Sequence, residues 1–230
     1  MKNIITKLFS LLIILIVVGC SNDDQKEISG TFEFSEIGIH NFKINASNIK
    51  ATITIVGAGG GGGGGVGFNA GNSSTGGGGG GGAGEVKLLI DIDLQENVNY
   101  TVNIGEGGNG GNVNGNGLDG QLSEISLEQI TLFMAIHGNG GKSNTINENV
   151  GGTGGIGFPQ GSAGGNGELL DVNWNGIAGT GGIGGDNFST FGIGGNGGIG
   201  TEVNNLVPTS AQPGIKGGNG YVKIEWSGIK

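Results

Sequence analysis

Residues 50–66 read KATITIVGAGGGGGGGV, an alternating apolar strand that runs directly into seven consecutive glycines. Ile53 and Ile55 share one face of this strand, because side chains on a β-strand alternate with period two. The glycines that follow carry no side chain and cannot build a hydrophobic core of their own. The sequence therefore predicts β-strands joined to a second structure made of glycine.

Glycine supplies 58 of the 230 residues, and all but Gly19, Gly30 and Gly38 lie from Gly57 onward. Repeats of the form Gly-Gly-x-Gly-Gly recur along this part, and apolar side chains are set inside the tracts. Solvated linkers do not carry isoleucine at this density. The tract residues in question are Ile156, Phe158, Ile183, Phe188, Phe191, Ile193, Ile199 and Ile215.

Collagen is excluded as the ordered form of these tracts, because it needs Gly at every third position and abundant Pro. This chain has three Pro and the uninterrupted run Gly59 to Gly65. The remaining ordered form is polyglycine II, in which extended helices of three residues per turn hydrogen-bond to their neighbours. An inner helix of such a bundle favours Gly throughout, whereas edge helices accept Asn, Thr or Ile.

Further strands are predicted at 85–92, 100–104, 122–127, 130–136 and 221–226. In the first of these, Val86, Leu88, Ile90 and Ile92 are expected on one face. Helical periodicity is nearly absent after the N-terminal segment. The predicted fold class is all-β, a sandwich or jelly roll whose glycine-rich insertions form a polyglycine II helix bundle.

The charge balance argues against nucleic acid as a partner. The chain has 19 acidic residues and a net charge of −9, and its ten basic residues are all Lys. Arginine is the side chain that best binds phosphate bidentately, and it is absent here.

The N-terminus predicts a lipoprotein signal peptide over residues 1–19. Lys2 and Lys7 precede the apolar run Leu8 to Val18, which is too short to cross a bilayer as a helix. The run ends in Val-Val-Gly-Cys20, which resembles a bacterial lipobox, so Cys20 is the predicted lipidation site. The lipid would anchor the protein to a membrane, because several buried acyl chains hold it essentially permanently.

Residues 20–29 are predicted to be the lipidated Cys and a polar tether, followed by a single glycine-rich β domain over 30–230. The tether contains Asp23 and Asp24. It is similar to the acidic segment after the lipidated Cys of surface-exported Bacteroidetes lipoproteins. We therefore expect an outer-membrane lipoprotein exposed on the cell surface; a plain spacer between membrane and domain is the alternative.

The motifs that would indicate chemistry are weak. Residues 57–62 match G-x-G-x-x-G, but more glycine follows where a dinucleotide site needs a helix. Asp186 fits a calcium nonapeptide over 181–189, yet the next nine residues hold no Asp, so it is a weak calcium candidate and no other metal site is predicted. Acidic residues such as Asp91 and Glu124 alternate with apolar ones, which is typical of a solvated sheet face. We predict no enzyme activity and no cofactor.

Candidate ligand-binding residues lie in polar interruptions of the tracts. Trp174 lies between glycine tracts and is expected to be exposed, whereas Trp226 and Tyr221 fall in the closing strand and are expected in the core. Asn69 and Asn72 lie in the loop 68–75, which, with the segment 204–212, is expected at a bundle end. A plain turn is the alternative for each loop.

Several blocks of the chain together resemble a known family. The blocks are ITIVGAGGGGG at 53–63, NYTVNIGEGGNGG at 99–111, MAIHGNGG at 134–141 and GYVKIEW at 220–226. Their order is similar to that in the glycine-rich domain of phage tail-fibre and adhesin proteins. It is also similar to the ectodomains of the anaplastic lymphoma kinase receptor family, where a jelly roll of tumour-necrosis-factor type is interleaved with polyglycine II helices.

The resemblance implies a domain that binds other molecules and catalyses nothing, with recognition at the bundle tips. The expected function is thus a lipid-anchored envelope protein that presents a rigid binding or adhesion surface to a surface glycan or a protein partner. The alternative is a structural envelope or assembly protein with no soluble ligand.

Overall fold

A computed structural model describes residues 26–68, 73–146, 148–186 and 188–230. The predicted signal peptide, Cys20 and most of the tether lie outside these residues. The described residues contain ten strands and no helix, so the all-β prediction is confirmed. The strands are β1 (Glu27–Phe34), β2 (Gly38–Phe42), β3 (Ser47–Val56), β4 (Val86–Leu94), β5 (Tyr100–Ile104), β6 (Ser123–Leu127), β7 (Ile130–Ala135), β8 (Val203–Asn204), β9 (Val207–Pro208) and β10 (Tyr221–Ile229).

Eight of these strands form two antiparallel sheets that pack on one shared core. One sheet has the order β1-β10-β3-β4 and the other β2-β5-β6-β7. Alternate side chains of the inner strands are buried, as their period of two requires. The core takes residues from both sheets: Phe42, Ile49, Ala51, Ile53, Ile55, Leu94, Tyr100, Val102, Ile104, Ile125, Ala135, Val222 and Ile224, with Ile44 and Ala46. This arrangement is a β-sandwich.

The prediction for β4 is wrong in part. A bulge interrupts its pairing with β3, where Ala51 pairs with Ile92 but Ile53 pairs with Leu89. The extra residue reverses which side chains face inward. Leu88 and Ile90 are therefore exposed, while Leu89 and Ile92 pack against the core.

The two ends of the sandwich differ. At one end, β3 leads into the first glycine tract and β10 emerges from the last one. At the other end, Lys26 and Lys230 exchange backbone hydrogen bonds of 3.3 and 3.0 Å. The chain thus enters the fold at the end of the sandwich opposite to the glycine tracts.

The glycine tracts form extended segments with a three-residue hydrogen-bonding period. In segment 57–66, the amides of Gly59, Gly62 and Gly65 all donate to segment 212–218, at 2.9 Å each. The amides of Gly60, Gly63 and Val66 donate to segment 74–85. The amides of Gly61 and Gly64 donate to segment 115–121. Residues three apart thus face the same neighbouring segment, and the three sets of residues face three different segments.

Two inner segments, 57–66 and 74–85, are surrounded by eight outer ones. The carbonyls of 57–66 accept from three further segments, so this segment has six hydrogen-bonded neighbours, and 74–85 has six in the same way. Segments 136–145 and 192–201 border both inner segments. The outer segments, in ring order, are 105–114, 115–121, 136–145, 151–158, 159–168, 176–185, 192–201 and 212–218.

The inner segments are almost pure glycine because no side chain fits there. A Cβ at Gly62 would lie 2.0 Å from the carbonyl oxygen of Asn196, and one at Gly79 would lie 2.0 Å from that of Thr153. Both oxygens belong to the backbone of outer segments. Hydrogen bonds to the adjacent segments hold that backbone in place. Outer segments have one open side, and there they carry side chains such as Ile156, Ile183 and Ile199.

Candidate functional site

The end of the bundle furthest from the sandwich collects the described residues of five chain connections, here called the distal tip: 67–68 with 73, 112–115, 143–146 with 148–150, 169–175 and 202–211. Ser73 bridges to Leu169, and Gly176 bridges to Val203, which ties three of these connections together. Gly67 donates its amide to the Asn114 side chain at 2.7 Å, which adds a fourth. Loops distant in sequence therefore meet at one surface.

Hydroxyl groups close the bundle beneath the distal tip. The buried Ser74 hydroxyl lies 2.9 Å from the Glu168 carbonyl and 2.5 Å from that of Ile177. Thr75 and Thr201, also buried, both donate to the carbonyl of Val66. Buried backbone groups need partners, so these side chains replace the neighbours that the glycine segments lose where they end. The tip stands on a hydrogen-bonded base.

Trp174 lies in a tight turn of the distal tip, with half of its surface exposed and a φ of +62°. Asp171 accepts hydrogen bonds from the amides of Asn175 and Asn173 at 2.9 and 2.8 Å. These bonds, first that from Asn175, lower the pKa of Asp171 because they stabilise the carboxylate. The Trp174 carbonyl accepts from Leu206 at 3.3 Å, which joins the turn to the β8–β9 hairpin. The indole is thus displayed on an ordered turn.

The distal tip also exposes apolar side chains that the sequence did not lead us to predict as part of the site. Their exposed fractions run from 58% to 94%, far above what a tightly packed loop leaves open. They are Ile146, Leu169, Val172, Leu206 and Val207. The signal in the sequence is an apolar residue isolated among polar ones, as in Asp171-Val172-Asn173.

The distal tip also holds an open cavity of about 310 Å³. It is lined by Val66, Gly67, Phe68, Asn114, Thr145 and Glu148. Asn69 and Asn72, the other predicted ligand-binding residues, lie outside the described residues. Their neighbours Phe68 and Ser73 both lie at the distal tip.

A larger groove, about 490 Å³, lies on the outer face of the first sheet. Lys50 crosses it, with its Nζ 2.9 Å from Asp93 and 3.4 Å from Asp91. The hydrogen bond to Asp93 is the main cause of the raised pKa of Lys50. The groove is wide open and its lysine is already neutralised, so it is the weaker binding candidate.

The residues weighed for metal binding and catalysis do not come together. Within the described ranges, no three His, Cys, Asp or Glu side chains converge. Asp186, the weak calcium candidate, is exposed at the sandwich end of the bundle. His40 hydrogen-bonds the Glu36 carbonyl at 2.7 Å, and His137 lies 3.3 Å from that of Gly138.

No family model matches this chain, and no curated protein matches it significantly. Among residues 26–68, 73–146, 148–186 and 188–230, no helix long and apolar enough to cross a membrane is found.

Proposed function

We propose that this chain is a lipid-anchored protein of the outer membrane, exposed on the cell surface, whose glycine bundle carries a binding or adhesion tip. One observation carries the proposal: the chain enters the sandwich at Lys26, and the distal tip lies at the opposite end of the molecule. With Cys20 lipidated six residues earlier, the tip would point away from the membrane.

The distance from the base of the sandwich to the distal tip follows from the lengths of the strands and glycine segments. Strand β10 has nine residues at about 3.4 Å each, close to 30 Å. Segment 57–66 has ten residues at about 3.1 Å each, again close to 30 Å if it is polyglycine II. The tip would then stand roughly 60 Å above the base of the sandwich.

The bundle is proposed to be polyglycine II, and the sandwich a jelly roll of tumour-necrosis-factor type. The three-residue hydrogen-bonding period and the six neighbours of each inner segment support the first assignment. Two packed four-stranded antiparallel sheets support the second. Both agree with the resemblance to phage adhesin and receptor domains that bind other molecules.

Trp174 and the other exposed apolar residues of the distal tip support recognition there. Indole and aliphatic side chains contact sugar rings and apolar protein surfaces, and Trp is enriched among residues that dominate binding energies. A surface glycan or a protein partner is therefore the proposed ligand; a purely structural envelope protein is the alternative.

The test is binding of the purified lipidated chain, displayed on liposomes, to glycan arrays and to arrays of extracellular proteins. The proposal expects at least one ligand whose binding falls ten-fold or more in Trp174→Ala. Phe158→Ala is the matched control, because Phe158 is 49% exposed at the other end of the bundle. Absence of any ligand, or equal loss in the control, would favour the structural alternative.

Anchoring is tested separately by metabolic labelling with palmitate. The wild-type chain should incorporate the label and partition into the membrane fraction. Cys20→Ala should do neither. Labelling that persists in Cys20→Ala would contradict the anchor.

A further inference from the structure

The hydrogen-bonding pattern gives the bundle two flat faces. Because segments 136–145 and 192–201 each border both inner segments, hexagonal packing arranges the ten segments in rows of three, four and three. The inner segments lie in the middle row. One outer row is 115–121, 136–145 and 151–158, and the other is 176–185, 192–201 and 212–218.

The second of these rows forms what is here called the isoleucine face. Its exposed apolar side chains are Ile177, Ile183, Ile199 and Ile215, with exposed fractions between 42% and 71%. Its one charged residue, Lys216, is bound to Glu106 on the neighbouring segment 105–114. No acidic residue occurs in the three segments of this face.

The opposite row also exposes apolar side chains, Leu118 and Ile136 among them, but it differs in charge. It carries the exposed Asp119 and Lys142, and Asp119 accepts a hydrogen bond from the Gly140 amide at 2.8 Å. Ile156 on this row is 71% exposed, as is Ile183 on the isoleucine face. The two rows thus share a backbone geometry and differ in charge, which makes one a control for the other.

We propose that the isoleucine face is the contact between two copies of this chain. The chain has a net charge of −9, so two copies repel one another across most surfaces. The isoleucine face reduces that repulsion at the contact, because it carries no acidic side chain and its one charged residue, Lys216, is paired with Glu106. A flat row of hydrogen-bonded segments also matches itself in shape, as an isologous interface requires.

The geometry selects one symmetry. A two-fold axis that lies in the face and runs parallel to the segments stacks one isoleucine face on the other. It leaves the segments of both copies pointing in the same direction. Both chains then start at the same end of the pair, and both distal tips stand side by side at the other end. Two copies anchored in one membrane can therefore meet in this way.

The area of the face sets the strength of the contact. Two segments about 30 Å long and one about 22 Å long, spaced about 4.8 Å apart, cover roughly 400 Å² per copy, or about 800 Å² for the pair. This total is below the roughly 1,200 Å² of stable complexes, so the pair is weak in dilute solution. Attachment to a membrane raises the effective concentration and favours it.

The test uses cross-linking of the full chain in membranes of the producing cells. Ile199→Cys places a thiol on the middle segment of the face, next to the proposed axis. A short bis-maleimide reagent should convert it to a covalent dimer of twice the chain mass. Ile156→Cys, on the opposite face, should stay monomeric.

A charge inserted into the face provides the second measurement. Adding Ile183→Glu to Ile199→Cys should lower the cross-linked fraction at least five-fold, whereas adding Ile156→Glu should leave it unchanged. Circular dichroism checks that each variant keeps its β-sheet spectrum. The proposal is overturned if Ile199→Cys gives no dimer, gives a product of another mass, or cross-links no better than Ile156→Cys.

The wild-type chain separates this proposal from the lipid anchor. Its only cysteine is Cys20, which a lipid thioether would block. A wild-type dimer formed with the reagent would show a free Cys20 thiol and contradict lipidation. The difference between Ile199→Cys and Ile156→Cys would still decide the interface.

Discussion

Gly79 illustrates what one side chain would cost in the bundle. A Cβ at this position would lie 2.0 Å from the Thr153 carbonyl oxygen, a contact that only a shift of the backbone can relieve. The neighbouring segments cannot shift freely, because Gly79 itself donates to Lys142 at 2.9 Å. Specificity for glycine in the inner segments is therefore steric and does not depend on backbone torsion angles.

We expect Gly79→Ala to lower the free energy of unfolding by more than about 3 kcal/mol, the upper end for overpacked cores. The matched control is Gly67→Ala, where the nearest atom is a side-chain nitrogen of Asn114 at 3.2 Å. That change should alter stability by less than about 1 kcal/mol. Urea unfolding followed by circular dichroism measures both, and equal effects would contradict the steric account.

Tyr221 connects the bundle to the sandwich through contacts of its side chain. Phe191 and Phe188 lie against its ring, with centroids 4.6 and 5.7 Å away, and its hydroxyl donates to Glu33 at 2.9 Å. Burial, and then this hydrogen bond, raise the pKa of Tyr221 to about 12. The tract residues Phe188 and Phe191 thus cover the closing strand.

Tyr221 should make stability fall at high pH. Because its pKa is higher in the folded than in the unfolded chain, its contribution is complete below pH 10 and is lost as pH rises towards 12. Tyr221→Phe cannot ionise at this position. The difference in unfolding free energy between wild type and Tyr221→Phe should therefore shrink from pH 9 to pH 11.5. A difference that stays constant over this range would contradict the assignment.

Among the elements, the inner and outer segments differ in how their amides are used. Every amide of segment 57–66 donates to a backbone carbonyl. In outer segment 176–185, the amides that donate to backbone recur at every third residue, Gly176, Gly179, Gly182 and Gly185. Protection against exchange depends on such bonds and on burial.

We therefore expect slow hydrogen exchange at all amides of 57–66 and a mixed pattern in 176–185. Mass spectrometry with electron-transfer fragmentation resolves the individual amides. Strand β3, directly before 57–66, is an internal reference for full protection. Rapid exchange throughout 57–66 would mean that the glycine tracts are not an ordered bundle.

The sequence predicted most elements because their signals are local. Strict alternation marked β3 and β10, and Trp226 packs against the core as expected. Tyr221 is buried, but the tract residues Phe188 and Phe191 cover it and it lies outside the sandwich core. The bulge at Asp91 was not predictable, since nothing in the alternation of β4 reveals an extra residue. The β8–β9 hairpin was missed because strands of two residues have no period.

The sequence predicted where the candidate site lies better than it predicted which residues form it. The polar interruptions 68–75 and 204–212 were expected at a bundle end, and the structure brings Ser73 and Leu206 to the distal tip. Trp174 was chosen because an aromatic between glycine tracts has little to pack against. Val172 and Leu206 were missed, since only the assembled tip reveals that no other described element covers them.

For the whole molecule, the sandwich and the bundle follow one another from Lys26 to the distal tip. Lys26 lies at the base, the bundle follows the sandwich, and the distal tip is furthest from the predicted lipid. Pairing through the isoleucine face would bring two such tips together. Two tips on one pair would bind a repeated ligand, such as a polysaccharide, more tightly than one tip does.

The most direct test of the central claim is labelling of Val172→Cys on intact cells with a membrane-impermeant maleimide. Val172 is 94% exposed in the distal tip, so the substitution should not disturb the fold. The wild-type chain, whose lone Cys20 is the predicted lipid site, is the control for background labelling. The account predicts equal labelling of Val172→Cys before and after lysis, with little in the control. Labelling that appears only after lysis would place the tip inside the envelope and contradict surface display.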